Sequence, residues 1–167
     1  NSNTKKIKEK RVIEAIFLDI DGILTDGAIY VDASGNESKR IFFDDIDAIF
    51  ELKRAGLKIG FITGEETPFC QFVEKRFKPD FFISGCKDKL SALKRILVES
   101  GLDKCQVCYA GDSKRDVPVL VFLPLSFVPS DVDDSIKAAA KVVLKAQRGC
   151  RVIKEIAMHI MSNRITA

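Results

Sequence analysis

The apolar positions of this chain switch between two periods. Short, nearly continuous apolar runs fall at residues 15–20, 57–63, 80–83, 106–110, 125–128 and 142–144. Such runs predict buried strands. Between them the apolar residues recur at helical spacing. Ile46, Ile49, Phe50 and Leu52 line one face of a segment predicted to be helical from 45 to 55, which Gly56 stops. Leu90, Leu93, Ile96 and Leu97 do the same in a helix capped by Asp88 and ended by Gly101. Further helices are expected over 66–77, with Pro68 in its first turn, from about 116 to before Pro124, over 134–140, and over 151–161. Residues 29–31 and 40–43 flank the turn-forming stretch 32–36 and read as a β-hairpin.

Strands that alternate with helices imply an α/β fold, a parallel sheet with helices on both faces and a small hairpin insert. In such sheets ligands sit at the carboxyl ends of the strands. No segment is long enough for a second domain. Residues 1–13 read as an N-terminal extension and 14–167 as one domain.

Composition narrows the class. The chain has 167 residues, of which 46% are hydrophobic, enough for a sizeable core. A net charge of +3 is too mild and too dispersed for a nucleic-acid partner, and the basic stretch 5–11 reads as a solvated start. No apolar run reaches the ~18 residues that span a bilayer, and no signal-peptide pattern opens the chain. The five cysteines show no paired framework. Cys105 and Cys108 have zinc-like spacing, but they lack a second pair and His159 is the only histidine. Reduced thiols point to a cytoplasmic setting.

The chemistry lies at predicted strand ends. Asp19-Ile20-Asp21-Gly22 follows the first strand and offers two carboxylates at a glycine-permitted turn. Alone this is also a common solvated turn. Thr63 and Gly64 follow the second strand, Lys89 opens a helix, and Gly111, Asp112 and Asp116 follow the fourth strand. A parallel sheet gathers all of these in one crevice. Their types suit phosphoryl transfer. Asp19 is the candidate nucleophile, forming an aspartyl-phosphate. Asp21 is the general acid and later activates water. Thr63 and backbone N–H groups hold phosphate oxygens, and Lys89 neutralises charge on Asp19 and the transferring group. Asp19, Asp112 and the Asp21 backbone carbonyl make a hard-oxygen site that favours Mg²⁺ over zinc.

At these residues the chain resembles the haloacid-dehalogenase-like phosphatases. The likeness covers roughly residues 14–161, through Asp19-Ile20-Asp21-Gly22-Ile23-Leu24-Thr25, Phe61-Ile62-Thr63-Gly64, Lys89 and Gly111-Asp112-Ser113-Lys114-Arg115-Asp116. With only a hairpin as insert, it looks like the capless subgroup that hydrolyses eight- and nine-carbon keto-sugar-acid phosphates. The resemblance implies a Rossmann-like core without a cap domain, Mg²⁺ dependence, a small phosphorylated sugar-acid substrate and a homotetramer built through the hairpins. It also implies substrate contacts from Thr63, Gly64, Glu65 and Lys89. Eight-carbon enzymes usually carry Arg after Thr-Gly. Glu65 resembles the nine-carbon relatives, and an acidic side chain suits sugar hydroxyls rather than a carboxylate.

The chain departs from the family pattern in three places. Ser113 replaces a second Asp. Asp45-Ile46-Asp47-Ala48 replaces a glycine-containing stretch and is expected to reshape the pocket. Gln147-Arg148-Gly149-Cys150-Arg151 only partly matches a glycine- and arginine-rich segment. The alternative to catalysis is an assembly domain, like the phosphatase-like C-terminal domain of animal sialic-acid cytidylyltransferases. Such domains lose the nucleophile, whereas Asp19 is retained here.

Overall fold

Strand β1 (Ala15–Leu18) is completely buried and lies at the centre of the molecule. Its side chains alternate between two separate cores, as the two-residue period of a strand requires. Ile16 and Leu18 enter the core beneath the helices on one face, and Ala15 and Phe17 enter the core on the other. In the computed structural model, which describes residues 12–165, this strand organises a six-stranded parallel sheet.

The hairpin follows β1 as β2 (Tyr30–Val31) and β3 (Glu37–Ser38). Then come α1 (Phe43–Arg54), β4 (Lys58–Ile62), α2 (Pro68–Phe77), β5 (Phe81–Ile83) and α3 (Lys89–Ser100). A short 3₁₀ turn over Lys104–Gln106 leads into β6 (Val107–Ala110), then α4 (Val117–Phe122) and β7 (Ser126–Val128). The chain closes with α5 (Asp134–Lys137), β8 (Val142–Val143) and α6 (Val152–Ile165). The sheet order is β5-β4-β1-β6-β7-β8. The chain therefore works outward from β1 to one edge, then restarts on the other side at β6. The crevice between the carboxyl ends of β1 and β6 is the switch point of the sheet, where α/β folds place ligands.

The expected α/β architecture is present, with helices on both faces and a small antiparallel hairpin. One core takes Ile49 and Leu52 of α1, Val73 and Phe77 of α2, and Ile153, Ile156 and Ile160 of α6. The other takes Leu93, Ile96 and Leu97 of α3, Leu120 of α4 and Ile136 of α5. Each fully buried aliphatic or aromatic side chain contributes about 1.5–3 kcal/mol of transfer free energy. Gly60 in β4 leaves room for the Phe17 ring, which stacks on Phe81 with centroids 5.4 Å apart.

Two expectations need correction. The second hairpin strand is Glu37–Ser38, not residues 40–43. Lys39 and Arg40 leave the ladder because their charges are drawn to Asp21 and Asp26. The stretch Asp45-Ile46-Asp47-Ala48 does not line the cleft. Asp45 is buried in α1, and its carboxylate accepts from Arg151 N (3.2 Å) and Lys154 N (3.0 Å), capping the start of α6. Arg151 holds a left-handed φ of 65° there.

The five cysteines are free thiols, and Cys105 and Cys108 form no metal cluster among the described residues. No described helix is long and apolar enough to cross a membrane. The basic stretch 5–11 lies outside the described residues.

Candidate active site

Six of the residues singled out in the sequence line one cleft of about 360 Å³: Asp19, Asp21, Thr63, Gly64, Lys89 and Asp112. Glu65 lines it as well. They reach it from four different strand ends, as the sheet topology dictates. Asp19 and Asp21 follow β1, Thr63 to Glu65 follow β4, Lys89 begins α3 after β5, and Asp112 follows β6.

Lys89 holds the centre. Its buried ammonium lies 2.8 Å from Asp19 Oδ2 and 2.8 Å from Asp116 Oδ1. Asp88 places it there by accepting from Ser91 N and starting α3 one residue earlier. Asp19 Oδ1 accepts from Ile20 N at 2.7 Å. One ammonium thus serves two buried carboxylates, and they do not share it equally. Burial pushes Asp19 up to about 8, helped by the nearby Asp116 charge and only partly offset by Lys89. Burial also disfavours the Asp116 anion, but Lys89 and the Tyr109 phenol reverse this and hold Asp116 below the usual range.

Asp116 is the most fully bonded carboxylate of the cluster. Oδ1 accepts from Lys89 and, at 2.5 Å, from Tyr109 Oη. Oδ2 accepts from Asp112 N, Ser113 N and Ser113 Oγ, each at 3.0 Å. It occupies the N-cap position of α4 but makes no side-chain capping bond, so helix capping is not what it does. Ser113, the departure from the family pattern, joins its donors. Lys89 and Asp116 stood out in the sequence, but Tyr109, which joins their buried tie, did not, because a strand tyrosine reads as core.

Asp112 contrasts with Asp116. It is mostly buried, yet no hydrogen bond reaches its carboxylate among the described residues. Burial, then Asp116, raises it to about 6. Asp19, Asp112 and Asp116 each bring an oxygen within 4.8 Å of the others. A cation fits between Asp19 and Asp112, where the Asp112 carboxylate lacks a hydrogen-bond donor and Asp19 is balanced on the other side by Lys89 alone among the cations. Asp116 is already saturated, so it orients Lys89 rather than acting as a ligand. An all-oxygen set of this kind suits a hard divalent ion.

Asp21 is fixed from the hairpin side. Its Oδ1 accepts from Lys39 Nζ at 2.7 Å and Thr25 Oγ1 at 3.1 Å. Lys39 itself rests over the Phe69 ring, 5.1 Å from the centroid. Thr63 is buried, its Oγ1 accepts from Glu65 N at 3.2 Å, and its carbonyl accepts from Cys86 N at 2.9 Å. Arg115, Arg148 and Ser113 also line the cleft. Lys39 and Arg115 were not among the expected site residues, since basic residues in loops look like solvated surface, and Arg148 stood out only as part of the segment 147–151 that partly matches the family.

No family model matches the chain. It is 32% identical over 156 residues to N-acylneuraminate cytidylyltransferase A of Danio rerio, covering 90% of this chain but only 35% of that protein. It is 26% identical over 149 residues to 3-deoxy-D-manno-octulosonate 8-phosphate phosphatase of Haemophilus influenzae, covering 89% of this chain and 83% of that one. The solved cobalt-bound structure of the Haemophilus influenzae phosphatase superposes with a TM-score of 0.85 at 26% identity, covering 91% of this chain and 89% of that one. The corresponding Moraxella catarrhalis protein shares the fold at 24% identity and a TM-score of 0.85, covering 90% of this chain and 87% of that one. It was solved with magnesium ion, phosphate ion and a KDO molecule.

Proposed function

The relatives and structural neighbours include haloacid-dehalogenase-like phosphatases of the 3-deoxy-D-manno-octulosonate 8-phosphate type, and on that premise we propose that this chain hydrolyses a small keto-sugar-acid phosphate through an aspartyl-phosphate. The observation that carries the reading is the placement of Asp19, Asp21, Thr63, Lys89 and Asp112 in one cleft at the switch point of the sheet. A carboxylate for attack, a second for proton transfer and a buried ammonium against the first are the parts that such a reaction requires.

Asp19 attacks phosphorus, and the ester oxygen leaves with a proton from Asp21. Asp21 then takes a proton from water, which attacks the phosphorus of the acyl phosphate, releases inorganic phosphate and restores Asp19. Lys39 and Thr25 hold the Asp21 carboxylate in place for both transfers. Lys89 screens the approach of the phosphate to Asp19, and Asp116 and Tyr109 keep Lys89 pointed there. Thr63 and the backbone of Gly64 and Glu65 receive phosphate oxygens. Asp19, Asp112 and the Asp21 carbonyl would hold Mg²⁺, whose charge lowers the repulsion between the phosphate dianion and the carboxylates. Glu65 faces the cleft as an acceptor for sugar hydroxyls, which favours a nine-carbon acid over an eight-carbon one.

The exposed apolar strip Ile29-Tyr30-Val31 on the hairpin, with Phe43 close behind it in sequence, supports assembly into a homotetramer. A cytoplasmic location agrees with the free thiols. The 32% identity to a cytidylyltransferase supports one other reading, a domain of a longer protein that serves assembly. A screen of sugar phosphates with added Mg²⁺ separates the two. Turnover that is lost in Asp19→Asn, with the fold intact, supports catalysis. Absence of hydrolysis of every phosphomonoester, including an aryl phosphate, supports the assembly role. A clear preference for the eight-carbon over the nine-carbon phosphate would overturn the assignment of Glu65.

A further inference from the structure

The cleft contains two guanidinium groups that the phosphate chemistry does not use. Arg148 lines it from the loop after β8, and its side chain is 40% exposed. Asp131 anchors this residue twice, accepting from Arg148 N at 2.9 Å and from Nε at 3.3 Å. Gly149 makes the position possible. It has a φ of +63°, and a Cβ there would overlap the backbone of Thr25 and Asp26, so this loop lies directly on the segment that carries Asp21. The terminal nitrogens of Arg148 make no hydrogen bond among the described residues. Besides Asp131, Asp112 Oδ2 pairs with Arg148 at 3.7 Å from Nη1, outside hydrogen-bonding distance.

Arg115 comes from the loop before α4 and crosses to the other side of the cleft. Its Nη1 lies 3.1 Å from where a Cβ on Gly64 would stand, so it rests closely against that glycine. Among the described residues no carboxylate pairs with it. One guanidinium thus lies against Gly64, and the other lies near Asp112, pre-oriented by Asp131 with a free edge.

We propose that Arg148 and Arg115 form a second anion site at the mouth of the cleft, which takes the carboxylate of the phosphorylated substrate. This rests on the phosphatase reading above and deepens it. The charge balance of the cleft supports the assignment. Lys89 is committed to Asp19 and Asp116, and Lys39 to Asp21, so neither is free for a remote acid group. Glu65 repels a carboxylate on its side of the mouth. The remaining cations of the cleft lining are Arg115, with no carboxylate partner among the described residues, and Arg148, whose Asp131 tether leaves the terminal nitrogens free of hydrogen bonds, and a planar fork with a free edge matches a carboxylate. The Asp131 tether lowers the ordering cost of that contact.

The test compares two probes. One is a keto-sugar-acid phosphate, eight- or nine-carbon, whichever turns over faster. The other is p-nitrophenyl phosphate, which has no carboxylate. The quantity read is the ratio of their kcat/KM values. Arg148→Ala lowers this ratio by about 10- to 100-fold, the worth of a charge-assisted hydrogen bond, and does so mainly through KM for the acid. Arg148→Lys recovers part of it, and Arg115→Ala lowers it in the same direction. An unchanged ratio in both alanine variants, or a wild-type enzyme that does not favour the acid, overturns the second anion site while phosphatase activity stands. Failure to hydrolyse either probe overturns the phosphatase reading itself.

Discussion

Gly22 lies directly beneath the Asp112 carboxylate. A Cβ at Gly22 would overlap the Asp112 side chain, and the residue also has a φ of +85°. The glycine that ends the Asp-x-Asp turn after β1 therefore makes room for the acid that follows β6. Gly22→Ala meets both obstacles. Left-handed strain for a residue with a Cβ costs of order 1–3 kcal/mol, and Asp112 must swing away from Asp19. We expect Mg²⁺-dependent turnover to fall at least ~100-fold, by analogy with loss of other charge-stabilising groups. Wild-type kinetics in this variant would contradict the placement of Asp112.

Lys89→Ala removes the one ammonium that serves both Asp19 and Asp116. Breaking a buried pair strands the partner charge and costs about 3–5 kcal/mol. Urea denaturation should show that loss, with hydrolysis lower by two or more orders of magnitude. Tyr109→Phe is milder. It removes only the phenol donor of Asp116 and should cost about 1–2 kcal/mol. Equal stability of Tyr109→Phe and wild type would mean that water replaces the hydroxyl.

The raised carboxylates set a pH dependence with an unusual sign. Asp19 is pushed up to about 8 and Asp112 to about 6, whereas an unfolded Asp titrates near 4. Above pH 4 the unfolded chain releases protons that the folded one retains, so folding stability falls as pH rises. For Asp112 the fall runs to about pH 6, and for Asp19 to about pH 8. Thermal melts in EDTA should drop from pH 5 to pH 8, and Asp19→Asn should flatten that slope. Mg²⁺ bound between these carboxylates favours their charged forms. Added Mg²⁺ should therefore raise the melting temperature more at pH 8 than at pH 5. At a hundred times its dissociation constant the ion adds about 2.7 kcal/mol, or roughly 5–10 °C for a chain of this size. A melt that is flat with pH in EDTA contradicts the burial of Asp19.

Asp45→Ala tests a buried acid that lies outside the cleft. Without it, Arg151 N and Lys154 N at the start of α6 lose their acceptor. We expect about 1–2 kcal/mol of lost stability and turnover within about twofold per folded molecule. A selective fall in kcat, with stability unchanged, would place Asp45 in the reaction instead.

Much of this was legible in the sequence because it is local. The strand β1 and the cap at Asp88 follow from runs, spacing and a single short-range bond. Asp19, Asp21, Thr63, Lys89 and Asp112 could be picked out because each stands at a strand end, where a parallel sheet gathers side chains on one edge. The hairpin was misplaced because Lys39 and Arg40 answer to distant charges, Asp21 and Asp26, rather than to their neighbours in the chain.

The order of apolar runs by itself determined a parallel α/β sheet and the edge on which its chemistry must lie, since a strand's period and a helix's period are properties of adjacent residues. Only the tertiary structure decided the division of labour among the acids. Asp116 is saturated by Tyr109, Ser113 and Lys89, Asp112 is left without a donor, and Arg148 is turned into the cleft by Asp131. Those differences are electrostatic and depend on which charges lie within a few ångströms, a relation among residues far apart in sequence that no local pattern encodes.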